Sequence, residues 1–306
     1  MILTVTLNPA IDRTLDAPGF QVGGHVRARL KALLPAGKGN NVARGIARLG
    51  GEATACGFIG RGERQMFASS LVADGVQTAF CSVDGVTRTN TTVLDPQRRT
   101  TTHLRERGFG VTAADRRALR STLLGLLSVR SGATVVFAGS LPPGFEPERL
   151  AELITSCSEA GAHIVVDSSG AALRAAAETG LVEALKPNLL ELGQLLDENI
   201  PAGSAVEAAG RLLEHAKAIL LTLGAHGAYL VTEQFTIGRR CPLADEELRN
   251  NVGCGDAFLA GWLRGEQFSA GDLAAGEQQA TRALNWAVAA GAASAASEQT
   301  VGYGLS

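Results

Sequence analysis

The segment Asn250-Asn251-Val252-Gly253-Cys254-Gly255-Asp256-Ala257-Phe258 sets small residues directly ahead of an aspartate at the head of an expected helix. Amides at a helix start have no carbonyl of the helix to bind, and the helix dipole is positive there. The N–H groups of Gly253, Cys254 and Gly255 would therefore converge on an anion. Glycine lets the backbone approach a phosphate closely. Asp256, beside such a hole, would take the proton from a hydroxyl as it attacks a phosphoryl group. Aspartate is also a favoured helix cap, and the spacing alone leaves both roles open.

Three further segments join a glycine turn or a strand end to polar side chains. Ala36-Gly37-Lys38-Gly39-Asn40-Asn41-Val42-Ala43 runs from a turn into a helix. It is neither G-x-x-x-x-G-K-[ST] nor G-x-G-x-x-G, which weakens a P-loop NTPase and a dinucleotide-binding reading. Asn40 and Asn41 suit sugar hydroxyls and Lys38 suits a phosphate; a plain helix cap with a tight turn is the alternative. In Lys186-Pro187-Asn188-Leu189-Leu190-Glu191, Asn188 and Glu191 lie three apart at a helix start. They would hold waters around Mg²⁺, which prefers oxygen ligands, or satisfy each other's amides in a capping box. In Thr222-Leu223-Gly224-Ala225-His226-Gly227, glycines follow a strand's carboxyl end. Open α/β sheets bind ligands there, and a simple hairpin turn is the other reading.

These residues need a scaffold, and the pattern supplies one. Short apolar runs at 2–7, 53–58, 134–138, 163–167, 218–223 and 228–231 read as strands. Helical periods fall at 40–49, 114–127, 147–159, 206–215, 256–264 and 273–293. Strands alternating with helices predict an α/β fold with a mostly parallel sheet between helical layers. Two inserts, at about 11–35 and 87–107, break this pattern. His25, Arg27, Arg29 and Lys31 alternate with Val26, Ala28, Leu30 and Ala32, a period of two. Arg99, Thr101, His103, Arg105 and Arg107 alternate after a turn at Asp95-Pro96. They predict a small β lid, basic on one side, on a single domain spanning 1–306. Either that basic face is simply solvated or it covers an anionic ligand.

The chain has 306 residues, 45% hydrophobic and 19% charged, which suits a packed core and excludes general disorder. A net charge of −2 argues against bulk nucleic-acid binding. The 37 glycines show no collagen period and serve turns and close approaches. Five cysteines without C-x-x-C spacing favour neither a zinc ribbon nor a disulfide framework, so a cytoplasmic location is expected. The first strand, broken at Asn8-Pro9, is too short for a signal segment, and no apolar run of about 18 residues suggests a membrane span. The alanine-rich stretch 286–296 reads as a buried helix packed on small side chains.

Taken in order, these segments resemble the ribokinase-like (PfkB) carbohydrate kinases over essentially the whole chain, closest to the 1-phosphofructokinase and tagatose-6-phosphate kinase branch. The resemblance is also carried by Thr6-Leu7-Asn8-Pro9-Ala10-Ile11-Asp12, Thr87-Arg88-Thr89-Asn90, Gly139-Ser140-Leu141-Pro142-Pro143-Gly144 and Val166-Asp167-Ser168-Ser169. It implies a three-layer α/β/α sandwich with a β lid. It implies Asp256 as general base, with Gly253, Cys254 and Gly255 as the anion hole. Asp12, Gly37, Asn41 and Arg88 would bind a sugar phosphate, helped by Lys38 and Arg27, with Ser140 lining the pocket. Lys186, Asn188 and Glu191 would face the phosphates of ATP and Mg²⁺. Thr222, Gly224 and Gly227 would line the nucleotide site. The lid would pair two subunits as a homodimer.

The chain departs from the family pattern in four places. Cys254 stands for the usual Ala and Ala138 for the usual Ser. The turn Gly60-Arg61-Gly62-Glu63-Arg64 has no Asp. The tail to Ser306 is expected to lack a final helix. The reaction implied is ATP-dependent phosphorylation of a hexose phosphate, first fructose 1-phosphate to fructose 1,6-bisphosphate. Tagatose 6-phosphate and fructose 6-phosphate are the alternative acceptors. A catalytically silent sugar-phosphate sensor would not need Asp256. A Rossmann oxidoreductase would need the glycine fingerprint where Asn8-Pro9 stands.

Overall fold

The computed structural model describes residues 1–129, 132–249, 252–265 and 276–297. Among them one sheet of nine strands runs β13 (Thr236–Arg239), β12 (Ala228–Thr232), β11 (Ala216–Thr222), β10 (Val182–Leu185), β9 (His163–Asp167), β8 (Thr134–Ala138), β1 (Ile2–Thr6), β4 (Ala53–Gly60), β5 (Gln77–Val83). From β11 to β5 the pairs are parallel; β12 and β13 turn back as antiparallel neighbours. The central strands are apolar on both faces, as a doubly covered sheet requires. Along β8, Val135 and Phe137 join one apolar layer while Val136 and Ala138 join the other.

The first layer is closed by α3 (Ala113–Leu127), α4 (Pro147–Glu159), α5 (Gly170–Glu178), α6 (Leu189–Leu196) and α7 (Ala205–Gly210), through residues such as Leu123, Ile154, Leu173 and Leu192. The second is closed by α1 (Lys38–Arg48), α2 (Arg64–Ala73), α8 (Cys254–Arg264) and α9 (Glu277–Ala296), through Ile46, Phe67, Trp262 and Ala287. The result is the expected three-layer α/β/α sandwich. Small residues let α8 and α9 approach closely: a Cβ on Gly261 would stand 2.5 Å from the Trp286 carbonyl oxygen. The helix expected over 273–293 is described from Glu277; residues 273–275, Asn250, Asn251 and the tail to Ser306 lie outside the described residues.

A second sheet of four strands stands apart, in the order β3 (Arg29–Ala36), β2 (Ala10–Asp16), β6 (Arg88–Asp95), β7 (Thr100–Arg105). Its register puts Asp12 opposite Leu34 and Asn90, and Asn90 opposite Arg105, so these side chains share one face. The alternation expected from His25 onward is not a strand before Arg29. Residues 17–28 form no strand, because β2 ends at Asp16 and leaves residues 25–28 without a ladder partner. The segment turns instead at Gly19 and Gly23, both at positive φ (78° and 80°), with Asp95 accepting the Gly19 amide. Sequence patterning also missed α2, β5, α5, β10 and β13.

Candidate active site

The start of α8 is set by Gly253, the N-cap, whose φ of 82° is unfavourable for any residue with a Cβ. The Ala257 amide donates to the Gly253 carbonyl at 2.8 Å, closing the first turn. The amides before it lie ahead of any helix carbonyl, at the positive end of the helix dipole. Asp256 is the third helical residue and is 5% exposed. It does not cap the helix with its side chain. Its Oδ2 instead accepts from Asn41 Nδ2 at 2.8 Å.

Asn41 reaches Asp256 because α1 starts hard against β1. Gly37 sits at φ 126°, and a Cβ on Gly39 would lie 2.5 Å from Thr6 Oγ1. Thr6 Oγ1 in turn accepts the Asn40 amide at 3.0 Å. The same helix start carries Lys38, whose Nζ donates to Asp167 Oδ1 at 2.8 Å. Lys186 Nζ pairs with the same oxygen at 3.3 Å and lies 3.4 Å from where a Cβ on Gly255 would stand. Two ammonium groups thus share one wholly buried carboxylate beside the α8 amides, and Asp167 Oδ2 is buried without a partner.

Burial pushes Asp256 up to about 6; neighbouring Asp167 adds to the rise, while Lys38, Asn41 and Lys186 oppose it. Its carboxyl is therefore mostly ionised at neutral pH yet remains a fair proton acceptor. At Asp167, burial would raise the pKa, but Lys186 and Lys38 outweigh it and hold the group below the usual carboxylate range. Burial would lower the Lys38 ammonium, and Asp167 and Asp256 hold it above its usual range. Burial raises the Cys254 thiol, which disfavours the reactive thiolate.

The second sheet brings another cluster to the same end. Asp12 Oδ1 accepts from Asn90 Nδ2 at 3.0 Å. Burial raises its pKa, against the Asn90 bond and the nearby Arg105, Arg88 and Arg44 charges. Arg88 donates to the carbonyls of Asn8 (3.0 Å) and Pro9 (3.3 Å) and to Ser140 Oγ (3.3 Å). Asn8 Nδ2 lies 3.4 Å from the same Ser140 Oγ. Arg27 lies in the irregular segment ahead of β3 and is exposed; among the described residues no hydrogen bond joins it to this cluster. The Gly60 turn without an Asp is held by Glu63 instead, whose Oε2 accepts the Thr87 amide at 2.9 Å, just ahead of Arg88.

On the other side, Asn188 and Glu191 form a capping box: Asn188 Oδ1 accepts the Glu191 amide and Glu191 Oε2 the Asn188 amide, both at 2.9 Å. Thr222 follows in parallel bridge to Asn188. Gly224 and Gly227, at φ 59° and 98°, make the turn between β11 and β12. It is a hairpin turn, and it also lines a shallow cleft of about 330 Å³ with Asn188, Leu190, Thr222 and His226. Among the described residues no three His, Cys, Asp or Glu side chains are grouped to hold a metal. Sequence reasoning gave no role to Asp167, Asn90 or Glu63, and placed Arg105 only on the basic face of the lid. For Asp167 the signal was its place at the carboxyl end of an apolar strand, where such sheets bind ligands.

This arrangement, with a buried carboxylate at a glycine-rich helix start and a polar second sheet beside it, defines a phosphoryl-transfer scaffold. The chain belongs to the pfkB family of carbohydrate kinases, whose model matches residues 5–302. It is 33% identical over 264 residues to a 1-phosphofructokinase from Rhodobacter capsulatus, covering 86% of this chain and 82% of that protein. It is 32% identical over 261 residues to the ATP-dependent 6-phosphofructokinase isozyme 2 of Escherichia coli, covering 84% and 83%. The structure of the tetrameric inhibited form of phosphofructokinase-2 from E. coli superposes with a TM-score of 0.86 at 31% identity, covering 98% of this chain and 96% of that one.

Proposed function

We propose that this chain transfers the terminal phosphoryl group of ATP to fructose 1-phosphate, forming fructose 1,6-bisphosphate and ADP. The observation that carries the reading is the buried Asp256 carboxylate, bonded to Asn41 and set in the first turn of α8 next to Lys186. The relatives named 1-phosphofructokinase support the sugar. The isozyme named for 6-phosphofructokinase activity makes fructose 6-phosphate the nearest alternative, and tagatose 6-phosphate is the next.

In this reading Asp256 accepts the proton of the attacking hydroxyl. The hydroxyl oxygen forms its bond to phosphorus as the bond to the ADP oxygen breaks, and ADP leaves with that electron pair. The amides of Gly253, Cys254 and Gly255 donate to the oxygens of the moving group, where one such donor is worth about 3 kcal/mol. Lys186 and Lys38 add positive charge beside it. Asp12, Gly37, Asn41 and Ser140 hold the sugar, and Arg88 with Arg105 clamps the phosphate it already carries. Thr222 and Gly224 line the nucleotide cleft, and Gly227 closes the turn beside it.

Magnesium would accompany the nucleotide. The capping box occupies Asn188 Oδ1 and Glu191 Oε2, so direct ligation by Asn188 would cost the cap. Glu191 Oε1 remains, which suits an ion that keeps several of its waters. Such an ion supplies neutralisation of the phosphate oxygens.

The second sheet acts as a lid on the single domain, and its outer face pairs two subunits. The row Leu33, Arg13, Thr91, Leu104 and the row with Leu30 two residues on lie opposite Asp12, with Leu30, Leu33 and Leu104 half exposed. Five free cysteines fit the reducing cytoplasm as compartment, and among the described residues no helix is long and apolar enough to cross a membrane. A coupled assay of ADP release across fructose 1-phosphate, fructose 6-phosphate, tagatose 6-phosphate and free hexoses tests the reading. Highest kcat/KM with fructose 1-phosphate supports it. ADP release with none of these sugars would overturn it and favour a silent sensor.

A further inference from the structure

Arg44 is a guanidinium buried to 1% exposure in the middle of α1, where the reaction above does not use it. Burying such a charge is costly unless every donor finds a partner. Here Nε meets Asp74 Oδ2 at 2.7 Å, Nη2 meets Ser70 Oγ at 2.8 Å, and Nη1 donates to the Pro35 carbonyl. Asp74 caps the end of α2 and is held a second time by Arg48 at 3.2 Å. Pro35 belongs to β3, the edge of the second sheet where it roots in the main body.

One turn earlier on α1, Asn40 Nδ2 donates to the next carbonyl of the same strand, Ala36, at 3.1 Å. Two successive carbonyls at the sheet's root are therefore gripped by side chains spaced i and i+4 on one helix face. The residue between them on that helix, Asn41, bonds Asp256. Above the root lies Asp12, on whose carboxylate the Arg44 charge acts together with Arg88 of β6 and Arg105 of β7. The contacts around Arg44 thus run from the sheet that carries Asp12 to the helix that orients the carboxylate of Asp256.

We propose that Arg44 is a positioning residue that locks the root of the second sheet to α1, so that a sugar phosphate held by the sheet lies in register with Asp256. The inference rests on the functional reading above. It assigns to Arg44, with Asp74 as its anchor, the alignment of the two halves of the acceptor site. Neither residue touches the nucleotide cleft, whose lining comes from the start of α6, Ala202 and the β11–β12 turn.

The test compares Arg44→Lys and Asp74→Asn with the wild-type chain, reading KM for fructose 1-phosphate, KM for ATP, kcat and the thermal midpoint. Lysine reaches one of the three acceptors but cannot span them. Arg44→Lys is expected to raise the fructose 1-phosphate KM at least about tenfold and lower kcat, with the ATP KM within about twofold. Asp74→Asn keeps an acceptor for Arg44 and should move the sugar KM the same way, about threefold. Variants that only lower the thermal midpoint, or that raise both KM values together, would overturn the inference. If Arg44→Lys does not fold, Asp74→Asn decides by the same criteria. A wild-type chain that phosphorylates no sugar phosphate would overturn the functional reading and this inference with it; an active wild type with unmoved variants would overturn the inference alone.

Discussion

Replacing Asp256 with Asn removes the proton acceptor while keeping the shape of the site. The Asn carbonyl would still accept from Asn41 Nδ2, which holds Asp256 at 2.8 Å, and Lys38 and Lys186 would still share Asp167. Substrate contacts should survive, so both KM values are expected within about threefold, whereas a general base is worth about 100-fold or more in kcat. In the wild type kcat should climb as pH rises through about 6, where Asp256 loses its proton. The variant should lack this limb. Stability should move the other way. Asp256 is raised from 3.8 to about 6 in the folded chain, so the unfolded chain ionises first and stability falls as pH rises between those values. Ionised Asp256 therefore costs on the order of 3 kcal/mol above pH 6, and Asp256→Asn should melt at a higher temperature than wild type at pH 8. Steady-state kinetics from pH 5 to 9 with calorimetric melting reads all of these. A variant turning over within about fivefold of wild type would refute the assignment of the base.

Arg88→Ala removes a guanidinium tied to the Asn8 and Pro9 carbonyls and to Ser140; the sugar-phosphate KM should rise at least about tenfold in the coupled assay with the ATP KM nearly unchanged. Gly227→Ala would drive a Cβ to 2.0 Å from the Arg239 carbonyl oxygen at a φ of 98°. Destabilisation of roughly 3 kcal/mol or more should appear as a lower denaturant midpoint. Leu33→Glu puts a charge on the exposed apolar face of the second sheet, and sedimentation should show a shift from dimer to monomer.

What could be read from sequence was whatever depends on neighbours along the chain. Strands such as Thr134–Ala138 and His163–Asp167 are apolar runs bounded by glycine or aspartate, and their limits match. Short or weakly patterned elements escaped. β10 is four residues long and includes Glu183, α5 is mostly alanine, and α2 buries only Phe67 and Leu71. His25 and Arg27 alternate correctly but have no strand to pair with, and only the sheet's register shows that. At the site, the glycine turns at Gly37 and Gly253 announced helix starts. The pairing of Asn41 with Asp256, 215 residues apart, and the sharing of Asp167 by Lys38 and Lys186 depend on strand order, which no local pattern encodes. The capping box at Asn188 and Glu191 was a foreseen alternative, because that spacing serves a helix start whether or not an ion is near.

Phosphorus NMR on the wild-type chain with ATP, magnesium and fructose 1-phosphate follows the transferred group itself. ADP and a second phosphate ester on carbon 6 of the sugar should grow together in equal amounts, and neither should grow comparably with Asp256→Asn. ATP broken down to ADP and inorganic phosphate with the sugar unchanged, or an equally fast ester with the Asn variant, would contradict phosphoryl transfer assisted by Asp256.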